Sequence, residues 1–375
     1  MDDLATSIAT TRLDHIAANL AGVRARVGGR RVLAAVKADA YGHGLADVAR
    51  MIEATASADW LGVATAGEAV ALREAGVRLP VLKLSQALDE AQITACVERE
   101  VDLAVVDAAG IDQVARVASA LGRQASVHLK VDTGMRRIGC EPADAPGLAR
   151  RADAAGVRLR GLFSHLPVSD TEDGREFTQA QIARFAAVLD AVTTARGRVE
   201  LAHLANSGAV MMHPDAWFDL VRPGIMIYGS KPDPATPDTV ALRPGLEWTT
   251  RVSFVKRVAA GETVGYGRTW ASARDTQIAT IPVGYGDGYS RRLSNRGRVL
   301  IGGRSFPLVG RVCMDQAMVD LGPDAALAPG AVVTLVGRQG EEEITVAEIA
   351  ELMGTIPYEV TCLITGRVGR TAARP

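Results

Sequence analysis

Residues 31–44 read RVLAAVKADAYGHG, and this stretch decides how the rest of the chain is interpreted. The apolar run from Val32 to Val36 predicts a buried strand that carries Lys37 at its end. A glycine-rich turn containing Tyr41 follows. A lysine at the mouth of a strand can react as a free amine, because partial burial lowers its pKa. A single lysine after a strand is more often an exposed surface residue, so the surrounding sequence has to decide between these two interpretations.

The chain around this stretch alternates between strand-like and helical apolar patterns. A helix is predicted over residues 11–27, and eight strand-like runs then alternate with helices. This alternation is typical of an α/β protein with a (β/α)8 TIM-type barrel. A doubly wound sheet would also alternate, but it would have fewer strands and a glycine-rich dinucleotide turn, and no GxGxxG follows the first strand. The predicted strands are Arg31–Ala38, Trp60–Thr65, Val81–Ser85, Asp102–Asp107, Val127–Asp132, Leu159–His165, Leu201–Ser207 and Phe218–Gly224.

The pattern changes near residue 230, where the segment KPDPATP (residues 231–237) is typical of a linker. Short strand-like runs broken by glycines follow it. One late helix is predicted, with a capping box formed by Thr345 and Glu348 at its start and Gly354 at its end. The sequence therefore predicts a barrel domain over residues 1–235 and a mostly β C-terminal domain over residues 236–375.

Composition excludes several classes of function. The chain has 42 basic and 43 acidic residues, a net charge of −1 and no basic cluster, so no nucleic acid partner is expected. Its four cysteines lie far apart without a CxxC pair, which predicts neither disulfides nor a metal site. The acidic start MDDL lacks the features of a secretory signal, and no apolar run approaches the roughly 20 residues that cross a bilayer. We expect a cytoplasmic protein without membrane contact.

Polar residues follow the predicted barrel strands at the points where the strands end. In such barrels the active site lies at the carboxyl ends of the strands, so these side chains are expected to meet around one pocket. Taken alone, His165 is most often a hydrogen-bonded histidine, and Asn206 with Ser207 is a common helix start. Their concurrence at one end of the barrel favours a functional site. The residues are Lys37, Lys130, Asp132, Arg137, His165, Asn206, Ser207, Arg222, Gly224 and Ile225.

Five motifs resemble those of the alanine racemase family and occur in the expected order over nearly the whole chain. They are AVKADAYGHG (35–44), DTGMRRIG (132–139), HLANS (203–207), RPGI (222–225) and CMDQ (313–316). The resemblance implies an isomerase that interconverts L-alanine and D-alanine with pyridoxal 5′-phosphate (PLP) as its cofactor. It also implies a homodimer, in which the C-terminal domain contributes to the active site of the partner subunit.

The resemblance implies cofactor-binding roles for residues of the barrel and of its neighbouring turns. Lys37 carries the cofactor, Arg222 contacts the ring nitrogen, and His165 packs against the ring. Because arginine stays protonated, it donates a hydrogen bond and leaves this nitrogen unprotonated, which weakens the ring as an electron sink. We therefore expect transamination to be suppressed. The other cofactor-binding residues implied are Tyr41, Asn206, Ser207, Gly224, Ile225 and Tyr358.

Two bases on opposite faces of Cα would remove and return a proton during racemisation. Lys37 is one base, and the resemblance implies that Tyr266 of the partner subunit is the other. A free tyrosine has a pKa of about 10, so it needs cationic neighbours such as His165 and Arg222 to act near neutral pH. Arg137 and Met314 are implied as contacts of the substrate carboxylate.

The remaining implied residues support the site. The family usually has glycine where this chain has Arg136, and we expect this side chain to point outward. The lysine that matches Lys130 is often carbamylated in the family, which would turn a buried cation into an anion. Tyr285 would narrow the entrance, although a run rich in glycine and tyrosine is often only a turn. Cys313 and Asp315 belong to the same loop as Met314.

Alternatives remain open at this stage. The first is a racemase for serine or for a broad range of amino acids, because pocket width depends on loop geometry. The second is a PLP-dependent amino-acid decarboxylase of the same architecture, which tends to be longer and to carry a different cysteine motif. The third is a non-catalytic PLP-binding barrel, which would lack Tyr266 and the β domain. The preferred function is alanine racemase, supplying D-alanine for peptidoglycan.

Overall fold

The computed structural model describes residues 4–373 and divides into two compact units. The barrel unit comprises residues 16–40 and 45–243, and the C-terminal unit comprises residues 4–15, 41–44 and 244–373. The chain begins with β1 (Ser7–Arg12) and α1 (Leu13–Val27). The sequence does not predict β1, since its buried residues are small or polar. This strand pairs with Leu246–Arg251 and Gly369–Ala373, so it belongs to the C-terminal unit and not to the predicted domain 1–235.

Eight parallel strands form the barrel, which confirms the predicted fold class. They are β2 (Arg31–Ala35), β3 (Trp60–Val63), β4 (Val81–Lys83), β5 (Val101–Val105), β6 (Ser126–Lys130), β7 (Arg158–Phe163), β8 (Leu201–His203) and β9 (Leu220–Val221). Their neighbour order is β8-β7-β6-β5-β4-β3-β2-β9. Backbone hydrogen bonds from Asp219 to Ala202 (3.0 Å) and from Arg222 to Ala205 (2.8 Å) join the two ends of this sheet.

Helices connect the barrel strands and begin at side chains that cap them. Thr65, Asp89 and Asp107 accept hydrogen bonds from backbone N–H groups in the first turns of α4 (Ala66–Glu74), α5 (Glu90–Val97) and α6 (Ala108–Ala120), which fixes where each helix begins. Among residues 4–373, no helix combines the length and the apolar character needed to cross a bilayer. The helices are α2 (Lys37–Gly42), α3 (Leu45–Ala54), α4 (Ala66–Glu74), α5 (Glu90–Val97), α6 (Ala108–Ala120), α7 (Ala145–Ala154), α8 (Arg175–Arg196) and α9 (Ser207–Met212).

The C-terminal unit is mostly β, as the sequence predicts. Its further strands are β10 (Leu246–Arg251), β11 (Phe254–Val258), β12 (Thr276–Ile281), β13 (Arg298–Ile301), β14 (Arg304–Pro307), β15 (Ala317–Gly322), β16 (Val332–Gln339), β17 (Glu342–Ile344) and β18 (Gly369–Ala373). One sheet has the order β14-β13-β16-β10-β1-β18 with β17 on β16, and the other has the order β11-β12-β15. Two helices, α10 (Val346–Met353) and α11 (Pro357–Cys362), precede β18. Thr345 caps α10 and Gly354 ends it, but the Glu348 carboxylate bonds to Arg298.

Candidate active site

Lys37 begins α2, which is a left-handed turn and not an ordinary helix. Residues 38–41 all have φ between 52° and 54°, although none of them is glycine. A left-handed residue with a side chain costs about 1–2 kcal/mol, so neighbouring groups have to hold this backbone in place. One of them is Glu68, whose Oε1 accepts the Ala38 N–H at 2.6 Å. The turn leaves Lys37 at the carboxyl end of β2.

Four cations surround the imidazole of His165 in the barrel unit. Burial lowers the pKa of His165 well below its ordinary value, and the positive charges lower it further in the order Arg222, Arg137, Lys130, Lys37. The imidazole is therefore neutral at pH 7, so His165 does not supply the positive charge that the sequence led us to expect for Tyr266. These five residues follow four different strands in the sequence, and the barrel brings them together.

Lys130 lies at the end of β6 and is only 6% exposed. Burial, together with the charges of Arg222, Arg137 and Lys37, lowers its pKa to about 8. Asp132 acts in the opposite direction, but its Oδ1 already accepts the N–H groups of Gly134 (2.8 Å) and Arg136 (3.1 Å). The site therefore carries an excess of positive charge and fits an anionic ligand.

Arg222 is buried at the centre of this cluster. Its Nη1 donates to His203 Nδ1 at 3.0 Å, and its Nη2 donates to the carbonyl oxygens of Ser164 (2.7 Å) and Leu204 (3.1 Å) and to His165 Nδ1 (3.3 Å). Burial lowers the pKa of Arg222 to about 9, so the guanidinium still carries its charge at neutral pH. The guanidinium is thus fixed in one orientation by four acceptors.

Two adjacent arginines differ in their surroundings. The Arg136 side chain is exposed and forms an ion pair with Glu141 at 2.8 Å, so it points outward as expected. Arg137 is also exposed, but its charge lowers the pKa of Lys130 and of His165, so it acts on the cluster.

The loops after β8 and β9 meet through Ser207 and Gly224. The Gly224 N–H donates to Ser207 Oγ at 2.9 Å. Ile225, the next residue in the chain, is buried. Asn206 caps α9, since its Oδ1 accepts the Ala209 N–H at 3.1 Å. The hydroxyl and backbone groups of these two loops are suited to a phosphate, which barrels commonly bind after their seventh and eighth strands.

The other candidate residues lie in the C-terminal unit. The rings of Tyr41 and Tyr358 are 5.9 Å apart, and burial raises the pKa of Tyr41 above its ordinary value. Tyr285 donates its N–H to Cys313 O at 3.0 Å, which ties together the two loops that carry these residues. Asp315 in the same loop forms an ion pair with Arg367 at 2.8 Å.

Three of the candidate residues in this unit have large side chains that are exposed in the single chain. Tyr266 is 71% exposed, Met314 is 53% exposed and Tyr285 is 43% exposed. Tyr266 and Cys313 line a groove of about 930 Å³ together with Lys256 and Arg268. Aromatic and apolar side chains in such a position are available for contact with another molecule.

Sequence reasoning missed four residues that support the site. Glu68 holds the turn at Lys37, and His203 contacts Arg222 directly. His128 contacts His203, and Asp102 contacts His128, both inside the barrel. Asp102 and His128 are polar residues inside apolar strands, and this was the signal that could have found them.

The fold and the cluster at the strand ends define a barrel enzyme whose reacting groups lie at the carboxyl ends of parallel strands. Family models described as "Alanine racemase, N-terminal domain" and "Alanine racemase, C-terminal domain" match residues 11–232 and 245–372. The chain belongs to the alanine racemase family, a family of racemases.

Individual relatives agree with this assignment. The chain is 50% identical over 359 residues to an alanine racemase of Cutibacterium acnes, covering 96% of this chain and 95% of that protein. It is 44% identical over 372 residues to an alanine racemase of Symbiobacterium thermophilum, covering 99% and 98%. The solved alanine racemase of Streptomyces lavendulae matches with a TM-score of 0.93 and 35% identity, covering 99% of this chain and 98% of that chain.

Proposed function

We propose that this protein racemises alanine with PLP as its cofactor. The observation that carries the proposal is the group of cations around Lys37 at the carboxyl ends of the barrel strands. A cofactor with a phosphate and an aldehyde needs such a lysine and such positive charge. Membership of the alanine racemase family supports the same reaction and substrate.

In this proposal, bound PLP supplies the electron-withdrawing ring that makes the Cα proton of alanine acidic. Lys37 holds the cofactor by its aldehyde carbon, Arg222 donates to the ring nitrogen, and His165 packs against the ring. The phosphate is held by hydroxyl and backbone groups. The residues proposed to supply them are Tyr41, Asn206, Ser207, Gly224, Ile225 and Tyr358.

Two bases move the proton. The Lys37 amine, which is free once the substrate amine has taken its place, accepts and returns it on one face of Cα, and Tyr266 of the partner subunit does so on the other. The 71% exposure of Tyr266 in the single chain supports a role in a second subunit's site, since nothing of its own unit covers most of the ring. The proposal therefore includes a homodimer with shared active sites.

The substrate carboxylate is bound by Arg137 and by Met314 of the partner subunit. Tyr285 narrows the entrance, while Cys313 and Asp315 hold the loop that carries Met314. The hydrogen bond from Tyr285 to Cys313 and the ion pair of Asp315 with Arg367 support this arrangement. We further propose that the product D-alanine is made in the cytoplasm for peptidoglycan.

Lys130 is carbamylated in this proposal. Its amine attacks CO₂, a C–N bond forms, and one proton leaves to solvent, which yields a carbamate anion. With a pKa of about 8, about one-tenth of the lysine is the reactive free amine at pH 7. The anion would be stabilised by Arg137 and Arg222, whose charges act on Lys130. A crystal structure tests this step, since a plain amine there would refute it.

The test of the proposed function is the optical activity of L-alanine incubated with the purified protein and PLP. The enantiomers have equal free energy, so a racemase brings the signal to zero without loss of alanine. A stable signal would refute the proposal and direct attention to CO₂ release from basic amino acids. L-Serine run in parallel measures the substrate range.

A further inference from the structure

Four buried polar side chains form a chain of hydrogen bonds through the barrel interior. Arg222 Nη1 lies 3.0 Å from His203 Nδ1, and His203 Nε2 lies 2.8 Å from His128 Nδ1. His128 Nε2 then lies 3.2 Å from Asp102 Oδ2. All four residues are at most 6% exposed, and both imidazoles are fully buried. The chain begins at the proposed cofactor site and ends near the amino-terminal end of β5.

The chemistry of the end groups fixes the direction of every hydrogen bond. A guanidinium only donates, so His203 Nδ1 has to accept and His203 carries its proton on Nε2. That proton points at His128 Nδ1, which must also accept. His128 therefore carries its proton on Nε2 and donates it to the Asp102 carboxylate, which only accepts. Both histidines are neutral Nε2–H tautomers in this arrangement.

The surroundings keep this pattern intact. Burial lowers the pKa of His203 well below its ordinary value, and the charges of Arg222 and Lys130 lower it further. The Phe163 ring stacks on His203 with 4.8 Å between centroids. The Trp60 ring meets His128 edge-on at 5.7 Å. Aromatic walls on two sides leave the imidazoles with few other hydrogen-bond partners.

Asp102 has one further partner, which supports an ionised carboxylate. Arg160 Nη1 lies 3.5 Å from Asp102 Oδ2, and its guanidinium lies 4.4 Å from the centre of the Trp60 ring. Arg160 also pairs with Glu200 at 3.3 Å. Asp102 therefore provides a negative charge inside the barrel, and a buried arginine such as Arg222 requires one because isolated buried charges are costly.

We propose that Asp102 is a positioning residue, which acts through His128 and His203 to hold the Arg222 guanidinium in one orientation and to compensate its charge. This inference rests on the proposed function, because it matters for the reaction only if Arg222 contacts the cofactor ring. The carboxylate is the final acceptor of the chain, so removal of its charge weakens the hydrogen bond from His128 Nε2–H and loosens the contact between His203 and Arg222.

The test compares Asp102→Asn with Asp59→Asn in the full-length protein. The first substitution keeps the shape of the side chain and removes its charge, and the new amide offers His128 an uncharged oxygen as acceptor. Asp59 is a matched control at the start of β3, where it pairs with Arg24 (3.1 Å) and accepts the Val32 N–H (2.7 Å). The measurements are ¹⁵N spectra of labelled histidines at about pH 6 and about pH 8.5, and the dissociation constant of PLP.

The proposal predicts that wild-type His128 and His203 give single Nε2–H signals at both pH values. In Asp102→Asn the Arg222 end still holds His128 as the Nε2–H tautomer, but its Nε2 signal shifts because an amide oxygen replaces the carboxylate as acceptor, and the PLP dissociation constant rises about tenfold, the low end of what loss of an outer hydrogen-bond partner causes. Asp59→Asn leaves both readouts unchanged. Wild-type spectra with Nδ1–H at either histidine, or unchanged PLP affinity in Asp102→Asn, would overturn the proposal.

His128→Asn provides a second variant if Asp102→Asn does not fold. Its amide oxygen can accept from His203 but no longer links to Asp102, so it should weaken PLP binding about as much as Asp102→Asn. The double variant should be no weaker than either single variant, because both cut the same chain. Additive losses of PLP affinity in the double variant would contradict a single chain of hydrogen bonds through both residues. If wild-type protein does not bind PLP, the proposed function fails, while the histidine spectra still decide whether the chain is directed as inferred.

Discussion

The backbone N–H of Ala38 donates to Glu68 Oε1 at 2.6 Å, and this bond joins the turn after Lys37 to the start of the helix after β3. The other oxygen of the same carboxylate accepts the N–H groups of Ala64 (2.8 Å) and Thr65 (3.0 Å). One side chain therefore satisfies three backbone donors at the carboxyl ends of two neighbouring strands. A carboxylate suits this place because it offers acceptors only.

Replacing this acceptor should loosen the turn that carries Lys37. In Glu68→Gln, the amide NH₂ faces a backbone N–H, so at least one donor is left unsatisfied. We expect a loss of about 1–3 kcal/mol in the free energy of unfolding. Urea unfolding measures it, with Asp89→Asn as the control, since Asn caps a helix as well as Asp does. Equal stability of the two variants would show that the carboxylate does not hold the turn.

The left-handed backbone of the same turn predicts an unusual effect of glycine. Ala38 is exposed and has φ of 52°, so Ala38→Gly removes steric strain and should stabilise the protein by about 0.5–1 kcal/mol. The identical substitution at Ala71, which is exposed in α4, should destabilise it by a similar amount. Thermal unfolding of both variants checks the opposite signs, and a loss of stability at both positions would contradict the prediction.

The barrel could be predicted from sequence because its strands are apolar runs of regular spacing, and the strand ends then located Lys37, His165 and Arg222. The left-handed turn could not be predicted, since an alanine such as Ala38 has no local preference for positive φ and only contacts such as that with Glu68 impose it. Likewise, β1 owes its pairing to distant strands and carries no apolar alternation of its own.

Shared active sites predict complementation between inactive subunits. Lys37→Ala and Tyr266→Ala dimers should each be inactive, but subunit exchange at equal amounts should restore about one quarter of the sites, since half of the dimers are mixed and each has one complete site. Racemase activity after exchange measures this. The control is the double variant mixed with wild type, which should halve the wild-type activity. No recovery in the first mixture and no loss in the second would place both bases in one chain.

The proposed contact between Arg222 and the ring nitrogen predicts how much transamination accompanies racemisation. In Arg222→Glu a carboxyl group replaces the donor at the ring nitrogen, so protonation of that nitrogen strengthens the electron sink and favours transamination. We expect more pyruvate per racemisation event, with racemisation itself slowed about 100-fold. A coupled assay for pyruvate measures the ratio. Arg222→Lys, which keeps a cation there, should leave the ratio low, and a similar rise in both variants would argue against the protonation of the ring nitrogen as the cause.

Because Lys130 is buried, we expect the free energy of unfolding to depend on both pH and CO₂. Its pKa of about 8 lies below the ordinary 10.5, so burial of the cation costs about 3 kcal/mol below pH 8, and this cost disappears as the pH rises to 10.5. In CO₂-free buffer, Lys130→Met should therefore be more stable than wild type at pH 7 and lose that advantage towards pH 10. Bicarbonate at pH 8 should stabilise wild type through the carbamate and leave Lys130→Met unchanged. Urea unfolding with and without bicarbonate separates the two effects, and an equal response of both proteins would exclude a carbamate at Lys130.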